Sequence, residues 1–508
     1  VTRLGRAAVI VSLGILISRV LGFLRTMAIA AILGATAQAD LFQDAFTIPD
    51  ILFYLMAGGF LSITLIPILT RHMAEGDDRE ARRSFTAVFR PVAVAMVVLT
   101  AMAMLFARPI VGAVFAQFAP SELDQLARLM RIVFPAQIFF VLGSLYMSVQ
   151  YAHKKFLIPV IAPIVYNLAI IVGGLITRVQ ASADGFIWGA LVGAAIGNLG
   201  LQWYGARRLG HQLEPGVPWS HPALKEYLLM AFPLMLGQSV AVLDEQLLKV
   251  FGQFAGTGAT GLLAYARRLN MLPIGMIAQA AGVAAYPFLA SLFSENRIEQ
   301  FHETLTRALR YSIVAGCLAA AAAAGAALPA VRLAFQRGLF DTNDTLVASS
   351  LLVIYALSIP FWAAHQLYAR GFYAQRRMWL PVAIGTVATG VAIPLYVWFL
   401  HLWGIQGIAW ASTVSIAGYA VALAVAWHVR GGSWRPIVAT GWRSAVAGIV
   451  AGFAAWGAVR SVAGKGVPGV GPSLAALAVG ALVVIFVFTG LSRLLGGREL
   501  TDLLRRRG

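Results

Sequence analysis

Charged residues in this chain are spaced so that they leave one long apolar stretch after another, most of about 20 residues or more, the length of a helix that crosses a bilayer. In hydrocarbon, every backbone N–H and C=O must be satisfied inside the protein, which permits only helices or a closed barrel. The apolar runs are continuous and do not alternate in ten-residue pieces, so the barrel is excluded. Apolar residues make up 59% of the 508 and charged residues only 12%, against about 25% in soluble domains. The expected class is an all-α polytopic membrane protein with about a dozen or more spans.

The formal net charge is +18, but the basic residues lie in short connections and no soluble basic domain with interleaved aromatics exists, so nucleic acid is not an expected partner. The single cysteine, Cys317, lies in an Ala-rich run and reads as inert packing; it excludes an internal disulfide. There is no HExxH or CxxC, so a metal enzyme is not expected. Arg3 and Arg6, then an apolar run, then Ala35-Thr-Ala-Gln-Ala39, imitate a cleavable signal. The run 7–33 is too long for one and carries Arg19 and Arg25, so it reads as a first span.

Fourteen candidate spans follow: 7–33, 40–70, 84–113, 125–152, 157–177, 184–207, 223–252, 258–290, 301–333, 345–375, 379–400, 404–429, 437–460 and 471–495. Basic residues fall on every second connection, among them Arg82, Arg83, Lys154, Lys155, Arg207, Arg208, Arg376 and Arg377, with Arg505, Arg506 and Arg507 in the tail. The bias is about four to one and places both termini in the cytoplasm.

An internal repeat organises these spans. Tyr151-Ala-His-Lys-Lys-Phe-Leu-Ile-Pro-Val160 returns 222 positions later as Tyr373-Ala-Gln-Arg-Arg-Met-Trp-Leu-Pro-Val382. Gly185 and Trp188 pair with Gly407 and Trp410 at the same offset, and Pro67-Ile-Leu pairs with Pro287-Phe-Leu at a slightly different one. The chain reads as two six-helix pseudo-symmetric lobes, 1–215 and 222–430, followed by two extra helices and a basic tail over 435–508. An even number of spans per repeat gives the lobes one orientation, a transporter-like layout with a central cavity.

A charge near the middle of a span costs about 2.5–3.5 kcal/mol on insertion scales, so each one needs a partner, water or a snorkelling route. Span 1 holds Arg19 and Arg25; span 2 holds Asp40, Asp44 and Asp50, with Pro49 expected to break its helix; span 7 holds Asp244, Glu245 and Lys249; span 8 holds Arg267 and Arg268; span 10 holds His365 and Arg370. Lys249 is spaced to pair with Glu245 or Asp244. Arg267 and Arg370 read equally as snorkelling side chains, and Asp40 and Asp44 as interfacial caps. Arg19, Arg25 and Arg268 have no matching number of acids at their depth. Surplus guanidinium in a cavity favours an anionic substrate, and its planar fork matches phosphate oxygens.

These residues resemble a known family. Ser18-Arg19-Val20-Leu21-Gly22-Phe23-Leu24-Arg25, then Gly34, Asp40, Phe46, Pro49, Ala57-Gly58-Gly59-Phe60 and Pro67, are similar to the start of the MurJ (MviN) lipid II flippases of the multidrug/oligosaccharidyl-lipid/polysaccharide exporter superfamily. The likeness continues through Phe134-Pro135, Asn167, Arg268-Leu269, Pro273 and Gly371-Phe372-Tyr373. The resemblance implies an inner-membrane flippase that carries lipid II, the polyprenyl-pyrophosphate-linked precursor of peptidoglycan, to the outer leaflet, with cell-wall synthesis machinery as a candidate partner. It implies substrate-binding roles for Arg19, Arg25, Arg268 and Asp40, to which Arg267 and Arg370 are added by position. It implies no organic cofactor and makes Asp244 a candidate sodium ligand.

The chain departs from the family pattern where some members carry charges in span 2 and this one has Phe53, Tyr54 and Gly58, and where others carry Asn or Asp in span 11 and this one has Ala392 and Tyr396. Three rival readings remain: a flippase for another polyprenyl-pyrophosphate glycan, a membrane glycosyl- or phosphotransferase, and a scaffold. A transferase needs paired carboxylates for metal or acid–base work. The adjacent acidic pair outside the expected spans, Asp77-Asp78, sits beside Arg79 in a charged turn.

Overall fold

The computed structural model describes the backbone of residues 3–56, 61–236, 239–464, 466–497 and 499; side chains at 3–10, 55–56, 61–63, 232–236, 239–242 and 278–284 are outside the description. The Ala57-Gly58-Gly59-Phe60 motif, Lys465, Arg505, Arg506 and Arg507 also lie outside it, as do the side chains of Arg3 and Arg6. The described residues are helical, with no strand. The chain divides into two compact units, Val1–Val242 and Leu243–Gly508.

The first unit contains α1 (Arg3–Leu33), α2 (Ala37–Asp44), α3 (Thr47–Met56), α4 (Leu61–Ala74), α5 (Asp78–Leu105), α6 (Ala107–Val114), α7 (Pro120–Ala152), α8 (Leu157–Ile176), α9 (Ala183–Gly193), α10 (Gln202–Arg208) and α11 (Pro222–Leu236), with a π-helical stretch, Ala194–Leu201, joining α9 to α10. Helix α12 (Ser239–Gly252) leads into the second unit. There follow α13 (Ala259–Ser294), α14 (Ile298–Gly325), α15 (Ala327–Phe335), α16 (Thr342–Ala356), α17 (Ile359–Ala374), α18 (Trp379–His428), α19 (Arg435–Ala463) and α20 (Val470–Leu494).

Among the described residues, nine helices are long and apolar enough to cross a membrane, and the pair α16 and α17, bent by 42°, makes ten. Helix α18 carries two of the expected runs, 379–400 and 404–429, broken where Gly404 adopts φ 56° and ψ −131°. The expected runs 40–70, 223–252 and 258–290 include residues outside the description. Large apolar side chains such as Leu16, Val97, Val98, Val387, Trp398, Leu482 and Phe486 are exposed on these helices, a surface suited to lipid. Trp203 with Arg207, Tyr204 with Arg208 and Trp456 with Arg460 pair ring and guanidinium one helical turn apart, the amphipathic combination favoured at a membrane–water interface.

Helices α4, α7 and α10 end in a left-handed residue, Gly76, Lys154 and Gly210, and α13, α17 and α18 end the same way at Asn296, Arg376 and Gly431, between 220 and 222 residues later. Each is a Schellman turn: Lys154 N donates to Tyr151 O and Lys155 N to Gln150 O, as Arg376 N does to Tyr373 O and Arg377 N to Phe372 O. The basic pairs of the repeated motif thus stand at helix C-termini, where their charge offsets the helix dipole.

Small residues set the helix spacing. On α9 and the π-helical stretch, Gly185, Gly189, Gly193 and Gly197 form one stripe against α8, so close that a Cβ at Gly189 would collide with the carbonyl of Ala169 and one at Gly197 would lie 2.7 Å from Ala162 O. In the second unit Ala447, Ala451 and Ala455 of α19 pack with Cys317 and Ala321 of α14 and with Val484 and Phe488 of α20, so Cys317 is a buried packing residue. Close backbone approach supplies the dispersion contacts that hold helices together in lipid.

The segment 209–221 is tied to the start of α5. Arg82 Nε donates to Glu214 Oε1 at 2.7 Å and Arg90 Nη2 donates to Glu214 O at 3.0 Å, while Glu214 N donates to Thr86 Oγ1 at 2.9 Å. His221 Nε2 lies 3.0 Å from Glu80 Oε1. Arg71 makes a forked pair with Glu226 at 2.9 and 2.8 Å, and α11 packs on α3, α4 and α5 within the first unit. The Arg82 hydrogen bond holds the Glu214 carboxyl below its ordinary range. His211, buried beside His153 and Phe85, is pushed down to about 4 by burial first, then by His153 and Arg82, against smaller opposing pulls from a hydrogen bond to the Leu209 backbone and from Asp78. Because the unfolded segment binds this proton near pH 6.5, the stability from neutral His211 is complete above that pH and is lost as pH falls towards 4. Hydrogen exchange of residues 209–221 should therefore accelerate between pH 6.5 and 4 after correction for intrinsic rates. His211→Phe should remove the acceleration; an unchanged profile in that variant contradicts the assignment.

Candidate functional site

In the first unit the site residues lie on α1 and the broken second span. Helix α1 ends at Gly34, whose φ of 60° suits glycine. The chain then turns into α2, with Asp40 in its first turn, where a carboxylate favours the helix dipole. The break expected at Pro49 falls instead at Ala45 and Phe46. Pro49 is the third residue of α3, a position whose N–H has no intrahelical acceptor, so the ring starts this helix and does not interrupt it. Asp40 and Asp44 are buried, which removes the solvated interfacial reading. Arg19 is exposed and Arg25 half-buried on α1, which packs on α8. The Arg25 Nε is buried without a hydrogen-bond partner, and Tyr166 of α8 lies within electrostatic reach of both Arg25 and Asp50. This unit therefore gathers a guanidinium, a phenol and a carboxylate inside the helix bundle.

The second unit holds Arg267 and Arg268 on α13. Arg268 is half-buried, whereas Arg267, expected beside it as an added cavity cation, is buried among other side chains. Arg267 Nη1 donates to Asp244 Oδ2 at 2.6 Å. Ser412 Oγ donates to the same oxygen at 3.1 Å and Tyr396 Oη donates to Asp244 Oδ1 at 2.9 Å. The guanidinium carbon lies 5.9 Å from the Trp362 ring centroid, within cation–π reach. Asp244 is thus paired with Arg267, and Lys249 Nζ is 4.0 Å from Glu245 Oε1. Arg370 is half-buried on α17, and His365 of the same helix is wedged between the rings of Trp362 and Tyr419. Among the described residues no three His, Cys, Asp or Glu side chains gather as a metal site.

Sequence reasoning missed Ser412 and Trp362. The signal for Ser412 was a hydroxyl pair, Ser412-Thr413, inside an otherwise apolar span; Thr413 uses its own hydroxyl on Ile354 O. Asp77 proves to be the N-cap of α5, accepting from Glu80 N at 2.8 Å, so the acidic pair serves a helix end.

Residues 29–476 match the model of the lipid II flippase MurJ family. The chain belongs to this family. A probable lipid II flippase MurJ of Rhizobium tropici is 26% identical over 427 residues, covering 82% of this chain and 79% of that protein. A solved lipid II flippase MurJ in an inward closed conformation shares the fold with a TM-score of 0.77 at 19% identity, over 96% of this chain and 99% of that one. An inward-facing multidrug resistance MATE family transporter of the MOP superfamily matches with a TM-score of 0.65 at 16% identity, over 83% of this chain and 95% of that one. This MurJ family member is a multi-pass inner-membrane protein.

The geometry ranks the contributions around Asp244. Removing one partner of a buried ion pair strands a charge and costs about 3–5 kcal/mol, whereas a single hydrogen bond to a charged group contributes about 1.5–3 kcal/mol. Thermal unfolding of purified protein in detergent should therefore show Asp244→Ala lowering Tm more than Tyr396→Phe, and Tyr396→Phe more than Thr386→Val on the exposed face of α18. Equal Tm values for all three would mean that the network carries no stability.

Proposed function

We propose that the chain moves lipid II from the cytoplasmic to the outer leaflet of the inner membrane. Lipid II is the undecaprenyl-pyrophosphate disaccharide-pentapeptide. Family membership across 29–476 carries this reading, together with the arginines on α1 and α13. The two repeats, 1–215 and 222–430, act as the lobes of an alternating-access carrier, and 435–508 supports the lipid tail. Both termini face the cytoplasm. Arg19, Arg25 and Arg268 bind the pyrophosphate, with Arg370 and Asp40 contributing to the polar lining, while the polyprenyl chain stays in lipid. Charge-assisted forks to phosphate oxygens are the strong form of hydrogen bond, and a side chain that loses one gives up about 1.5–3 kcal/mol of binding. The membrane potential adds about 2.3 kcal/mol per charge per 100 mV and favours outward movement of an anion.

Loss of one such contact corresponds to an affinity drop of about 10- to 100-fold. Cells depleted of their flippase and supplied with this chain should expose lipid II to an external cleaving enzyme. Arg19→Ala, Arg25→Ala and Arg268→Ala should each abolish that exposure and viability at unchanged membrane levels. Full activity in all three variants contradicts the proposed site, and no exposure with the unaltered chain contradicts the function.

A further inference from the structure

Family resemblance makes Asp244 a candidate sodium ligand, and the side chains around it argue otherwise. Both carboxylate oxygens are taken: Oδ2 receives Arg267 Nη1 at 2.6 Å and Ser412 Oγ at 3.1 Å, and Oδ1 receives Tyr396 Oη at 2.9 Å. A sodium ion needs several oxygen acceptors around it and no second cation in contact. Here the three groups facing the carboxylate all donate, one of them carries a full positive charge, and Ala392, one turn before Tyr396, brings no side-chain oxygen. Asp244, Arg267 and Ser412 are each buried, so the charge of Asp244 has to be balanced inside the unit.

We propose that Arg267 is the resident counter-cation of Asp244: its tethered guanidinium fills the place that a free alkali ion would take. Tyr396 and Ser412 are positioning residues that hold the carboxylate against it. The charge of Asp244 is therefore balanced without a dissociable ion, and the stability of this site is indifferent to sodium. The pair also joins α12 to α13 and fixes the rotation of α13, which sets the direction of the neighbouring Arg268. Burial in a low-dielectric interior makes the pair strong as a pair and costly to split. Only this last consequence rests on the proposed transport function; the ion replacement stands on the geometry of one unit.

The test is thermal unfolding of the purified full chain in sodium chloride against choline chloride at equal ionic strength. The unaltered protein should give the same Tm in both salts. Arg267→Gln exposes the Asp244 carboxylate while keeping side-chain bulk, and should gain a Tm rise of at least about 2 °C in sodium. Should that variant fail to fold, the neutral double variant Asp244→Asn with Arg267→Gln decides. It should recover most of the stability that Asp244→Asn alone loses and be indifferent to sodium. A sodium-specific rise in the unaltered protein that Asp244→Asn abolishes overturns the proposal. So does a folded Arg267→Gln that unfolds identically in both salts, or a double variant no more stable than either single one. A failure of lipid II flipping would leave these Tm measurements unchanged, so the two readings fail separately.

Discussion

A formal charge held in hydrocarbon has to be neutralised, hydrated or led out to the interface, and the arrangement of this protein follows from which of these each charge is given. Asp244 and Arg267 neutralise one another inside the second unit, with two hydroxyls completing the carboxylate's partners. Arg207, Arg208 and Arg460 lie at helix ends beside aromatic rings, the interfacial solution. Arg19 and Arg25 lie on one helix of the first unit. They sit about one and two-thirds turns apart on α1, with Arg25 and Asp50 both within reach of the Tyr166 hydroxyl.

The packing that permits this is built from small residues and broken helices. Four glycines bring α9 and the π-helical stretch onto α8 at backbone contact, and an alanine stripe does the same for α19 on α14. Three acids, Asp40, Asp44 and Asp50, flank the break between α2 and α3, and the unusual Gly404 backbone interrupts α18. Interrupted helices bearing polar groups at membrane depth are a recurrent feature of transporter binding sites.

Much of the fold was legible because its determinants are local. Continuous hydropathy defines a span without reference to the rest of the chain, and the 222-residue repeat marked the Lys154 and Arg376 turns, which have the same backbone geometry. The site was legible only in its residue types. Whether Arg267 faces a cavity or Asp244 depends on the rotation of α13 relative to α12, which no spacing within α13 reveals; the acid lies 23 residues upstream and its hydroxyl partners lie on α18. The Pro49 break was misplaced for a related reason. Proline disrupts a helix interior but suits a first turn, and the starting point of α3 is set by tertiary packing.

The central claim is that guanidinium groups recognise the diphosphate of the carried lipid. Titration of the purified chain with undecaprenyl pyrophosphate and undecaprenyl monophosphate, followed by native mass spectrometry, addresses it directly. The account predicts at least about tenfold tighter binding of the diphosphate, with the preference lost when Arg19, Arg25 and Arg268 are replaced together by Ala. Equal affinity for the two lipids, or a preference that survives the triple replacement, would contradict it.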